Sequence, residues 1–148
     1  ITRANIDALT SKQLDAQVFD LADAINSGRH ADAYSIVGEL FDQQIRSENI
    51  LAALSGAYLD LYCAKLAKNY GVAPDSAAQM FGFYGGRSWA FTKKIMPAAS
   101  ALATSYLRET VRILSDADIT LKSTAVNKQT VIEQTVTRLF MCREKRGG

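Results

Sequence analysis

Ser47-Glu48-Asn49-Ile50-Leu51-Ala52-Ala53-Leu54-Ser55-Gly56-Ala57-Tyr58-Leu59-Asp60-Leu61-Tyr62-Cys63-Ala64-Lys65-Leu66-Ala67-Lys68-Asn69-Tyr70 is the stretch that decides the fold. Ser47 is placed to cap a helix over about 48–70, and Gly71 ends it. Ile50, Leu51, Leu54, Tyr58, Leu59, Leu61, Tyr62 and Leu66 cover much of its circumference. A helix apolar on several sides is enclosed by others, so this is the expected central element of a bundle.

Shorter helical patterns surround it. Thr2 is placed to cap a helix over Arg3–Leu9, and Thr10-Ser11-Lys12-Gln13 reads as a polar break and domain boundary. Val18, Leu21, Ala22 and Ile25 then share one helical face, with Gly28 as the stop. A second helix over about 31–45 buries Ala33, Val37, Leu40, Phe41 and Tyr34, and forms a hairpin with the first. Pro74 suits the first turn of a short helix to Phe81, and another runs from Arg87 to Met96 and stops near Pro97. Ser100 is expected to cap a long helix to Lys122 with Leu102, Ala103, Tyr106, Leu107, Val111, Leu114 and Leu121 inside. Asn127 caps the last, whose inner stripe is Val131, Ile132, Val136, Leu139 and Phe140. The expected fold class is all-α, a single bundle of about six to seven helices.

Composition narrows function mainly by exclusion. The 148 residues are 48% hydrophobic and 22% charged, an ordinary globular profile for one domain. One histidine and two distant cysteines, Cys63 and Cys142, argue against a zinc site; buried reduced thiols are favoured over a disulfide. No apolar run is read as reaching the roughly 20 residues of a membrane span, and the chain is read as cytoplasmic with no membrane partner. Without an initiator Met, it reads as a piece of a longer protein. Residues 1–74 hold six Lys/Arg against nine Asp/Glu, and residues 75–148 hold eleven against six. That gradient suits an acidic neighbour, passing nucleic acid or a solvated surface.

No reaction motif emerges. Asp20, Asp23, Asp116 and Asp118 read as solvated or helix-end carboxylates, and His30 as a residue beside a turn. Phe81-Gly82-Phe83-Tyr84-Gly85-Gly86 lacks the Gly-Lys-Ser/Thr of a phosphate loop. Tyr84 and Trp89 have faces for stacking on a base, but packing against a helix or neighbouring subunit is the commoner use. Leu66–Met80 has the outline of a helix-turn-helix, yet offers Asp75, Ser76 and Gln79 where base-reading cations belong.

The order of segments resembles a known family. Val18-Phe19-Asp20-Leu21-Ala22-Asp23-Ala24-Ile25-Asn26-Ser27-Gly28 is similar to the start of the C-terminal domain of the delta subunit of the bacterial DNA polymerase III clamp loader. Leu114–Ser123, with its Leu121-Lys122 pair, resembles that family's penultimate helix, and Val131-Ile132-Glu133 with Leu139 resembles the closing one. The resemblance covers about Gln13 to Cys142; the Gly- and aromatic-rich stretch 81–86 departs from the charged sequence expected there.

The resemblance implies a collar: residues 1–12 ending a lid region, 13–145 an oligomerisation domain and 146–148 a tail. It implies a non-catalytic fragment of the polymerase III holoenzyme, with no cofactor or metal. Its partners would be gamma/tau and delta-prime type subunits. The sliding clamp would be reached through an absent N-terminal part, and DNA indirectly or weakly. Phe19, Leu21 and Ile25 would seat the first helix, and Leu121 and Lys122 end the penultimate one. Tyr62, Phe83, Trp89 and Tyr106 are the candidate subunit-interface residues. The rival reading is a helix-turn-helix DNA-binding regulator.

Overall fold

The computed structural model describes residues 3–123 and 125–146, with side chains from residue 12 onward. Along these residues run α1 (Arg3–Asn26), α2 (His30–Asp42), α3 (Ser47–Asn69), α4 (Pro74–Met80), α5 (Gly86–Ala90), a π-helical turn (Phe91–Ile95), α6 (Met96–Ser100), α7 (Thr104–Leu121) and α8 (Lys128–Arg146). The stretch 86–100 is one continuous helical unit, so the described residues form seven such units and no strand.

α3 is the central helix. It packs on α1, α4, the π turn, α6, α7 and α8. Ile50, Leu51, Leu54, Tyr58, Leu61, Ala64 and Ala67 are its buried apolar positions. By length and apolarity α3 does meet the requirement for crossing a membrane, with a mean hydropathy of 1.3 over its best 18-residue window. This corrects the expectation that no run comes close; α3 buries part of that apolar surface against six neighbouring elements.

Four turns end helices in the same way. At Gly28, Gln44, Gly71 and Gly82 the chain enters the left-handed region. The next N–H then reaches back to a carbonyl in the last turn: Arg29 to Ala24 (2.8 Å), Ile45 to Leu40 (3.1 Å), Val72 to Ala67 (2.9 Å) and Phe83 to Ala78 (2.9 Å). At Gly28 the fit is tight, because an added Cβ would meet Arg143 Nη1 at 3.0 Å.

Several local expectations are corrected. The polar stretch 10–13 does not break the backbone, and α1 runs through it. Thr2 lies outside the described residues. Ser47 is not a cap but the first residue of α3, buried at 8% exposure, with Arg46 at the cap position. Ser100 ends α6 instead of starting α7, and its Oγ donates to the Met96 carbonyl at 2.9 Å. Pro97 does not stop the helix: the π turn before it lets Met96 N–H reach the Phe91 carbonyl five residues back. That widened turn lets the chain pass the missing donor and bulky ring of Pro97. Asn127 does cap α8, accepting from the Thr130 N–H at 3.1 Å.

One polar cluster ties the core together. The hydroxyls of Tyr58 and Tyr106 donate to Asn26 Oδ1 at 2.9 and 2.6 Å, and Arg143 Nε donates to the Asn26 carbonyl at 2.8 Å. Four helices meet there: the end of α1, the middle of α3, the start of α7 and the end of α8.

Candidate interaction surface

The turn from α4 into α5 carries several large exposed side chains. Gly82 (φ +74) and Gly85 (φ +60) adopt conformations that L side chains rarely take, so the loop between them reverses sharply. The reversal splits the aromatics. Phe83 turns inward at 7% exposure, its ring centroid 5.1 Å from Phe91 and 6.1 Å from Phe81. Tyr84 turns outward at 77%, and nearby Met80 and Trp89 are 70% and 58% exposed.

Arg87 holds the corner to the bundle. Its guanidinium sits 4.0 Å over the Phe83 ring, and its Nη2 lies 3.5 Å from Asp60 Oδ1 on α3. Burial pushes the Asp60 carboxyl up, and Arg87 opposes that shift. On one side of Arg87, α1, α3 and the π turn enclose a groove of about 620 Å³ floored by Ala53, Gly56 and Ala57. On the other side, a cleft of about 370 Å³ opens between Pro74 and Trp89 and is closed by Thr92 and Lys93, with Asp75 also lining it. Lys94 Nζ lies 6.0 Å from the Trp89 ring.

Of the four interface candidates, Trp89 alone presents an exposed ring. Tyr106 has no exposed surface, because its ring fills the core and its hydroxyl is committed to Asn26. Phe83 is buried by Phe81, Phe91 and Arg87. Tyr62 is half-buried, and its hydroxyl accepts from Arg108 Nε at 3.3 Å. Tyr106 and Phe83 are therefore removed from the surface. Among the packing positions, Leu21 and Ile25 are fully buried, Leu121 is buried and Phe19 is half-buried. Lys122 follows the last residue of α7 and pairs with Asp118 at 2.9 Å. Met80, exposed at the corner, escaped the sequence reading because it sits in the pattern of a packed turn.

Other polar residues are locally occupied. Asp23 pairs with Arg29 at 2.8 Å, and Asp116 with Arg112 at 3.0 Å. Arg112 also grips Glu109 and holds its carboxyl below the usual range. His30 stacks on Phe140, centroids 4.0 Å apart. Both cysteines are free thiols, and burial pushes both upward. α4 has seven residues and no cation, and it buries Ala77 and Ala78 against the bundle. It lacks what a helix needs to read the major groove.

The described residues form an all-helical domain with a solvent-facing aromatic corner. The chain belongs to the family described as DNA polymerase III delta subunit, C-terminal domain, whose profile matches residues 15–139. A solved structure, the Bacillus subtilis DNA clamp loader delta protein (YqeN), has the same fold, with a TM-score of 0.80 at 20% identity. The match covers 95% of this chain and 40% of that one, so the chain spans less than half the length of that relative. Among curated protein sequences, none matches this chain.

Proposed function

We propose that this chain is the non-catalytic oligomerisation domain of a DNA polymerase III delta subunit. It holds clamp-loader subunits together so that the complex loads the sliding clamp onto primed DNA during replication. The carrying observation is the family match over residues 15–139, in a domain that buries its own core yet leaves large apolar side chains at the α4–α5 corner in solvent. In this reading residues 13–145 are the collar, 1–12 end the preceding lid region, and Trp89 is a contact residue. Partners are gamma/tau and delta-prime type subunits in the cytoplasm. The clamp is gripped by parts of the subunit outside this chain, and DNA contact is indirect.

The test is co-purification of the delta subunit with its partner subunits after size exclusion. Removing residues 13–145 is expected to abolish co-elution. Undiminished co-elution of the truncated subunit sinks the reading, as does tight, sequence-specific duplex binding by the isolated domain.

A further inference from the structure

We propose that the α4–α5 corner docks an acidic protein segment: an apolar anchor seats beside Trp89, and flanking carboxylates meet Lys93 and Lys94. The inference deepens the assembly reading and rests on it, since the segment belongs to a neighbouring subunit.

Charge complementarity carries the choice of occupant. Lys93 and Lys94 make no ion pair among the described residues, whereas Arg87, Arg29 and Arg112 each sit against a carboxylate. Lys93 lines the cleft together with Trp89, which is 58% exposed, and Lys94 Nζ lies 6.0 Å from the Trp89 ring. Thr92 also lines the cleft, and its buried Oγ1 has no hydrogen-bond partner among the described residues. A single-stranded nucleic acid fits less well. Two free cations are too few to track a phosphate backbone.

Trp89 is the chain's single tryptophan, so its emission reports this corner directly. The 148-residue chain is titrated with a short Trp-free peptide in which Asp and Glu alternate with Leu and Phe. A saturable blue shift is expected. Affinity should weaken at least about tenfold in the Lys93→Glu/Lys94→Glu variant, and also when salt rises from about 0.05 to about 0.5 M. An equal response to the same peptide with Lys in place of its acidic residues overturns the proposal. So does an oligothymidylate that quenches Trp89 while the acidic peptide leaves it unchanged.

The second arm reconstitutes the delta subunit that carries this chain with its partner subunits. The double variant, with unchanged circular dichroism, is expected to assemble at least about tenfold more weakly. Full-strength assembly by that variant overturns the docking inference and leaves the assembly reading standing. Failure of the unaltered subunit to assemble overturns the assembly reading itself.

Discussion

Gln44 is the described non-glycine residue with a positive φ, at +61°, in a turn type that glycine fills elsewhere in this chain. Its Cβ crowds the following carbonyl, a strain that glycine lacks, although glycine also loses more freedom on folding. The strain is the larger effect, so Gln44→Gly is expected to raise stability by about 0.5–1 kcal/mol, read as a shift in denaturant midpoint. The residue scale is also where sequence reading was least able to choose. Trp89 and Tyr106 are both large aromatics on helices. Tyr106 is sealed in by its bond to Asn26, which lies eighty residues earlier in the chain, and nothing near either position reveals that partner.

At the scale of single elements, α3 carries a glycine in its middle without an internal reason. A Cβ at Gly56 would meet nothing within 4 Å, and φ there is ordinary. Helix interiors favour alanine over glycine, so Gly56→Ala is expected to stabilise the chain by about 0.5–1 kcal/mol in thermal or urea denaturation. A loss instead would mean that the groove above α3 closes against that position. The 86–100 unit shows where element boundaries resist sequence reading. Pro97 signals a stop by local rules, but the stop is avoided by redistributing hydrogen bonds one turn upstream. The polar residues 10–13 likewise carry no backbone-breaking Gly or Pro, so the polar pattern marks no helix end.

Across the whole molecule, the Asn26–Tyr58–Tyr106 cluster makes stability depend on alkaline pH. Burial raises the Tyr106 hydroxyl to about 12, and it raises Tyr58 in the same direction. Both folded values lie above the ordinary value of about 10, so the folded state holds these protons more tightly than the unfolded one. The contribution is complete below about pH 10 and is lost as pH rises toward 12. Tyr106 alone accounts for about 3 kcal/mol of that loss. Urea midpoints measured between about pH 8 and 12 should fall steeply, and Tyr106→Phe should start lower and fall less. A pH-independent midpoint in the unaltered chain would contradict the buried cluster.

Apolar spacing and the placement of Gly28, Gly71 and Asn127 were sufficient to establish the helical class, the central place of α3 and three helix ends. They work because 3.6-residue periodicity and capping are local, acting within about one turn of the chain. Which aromatics face solvent was settled by the tertiary structure alone. Exposure of Trp89 and burial of Phe83 follow from how a loop with two left-handed glycines meets Phe91 and Arg87, and those contacts form only when distant helices pack.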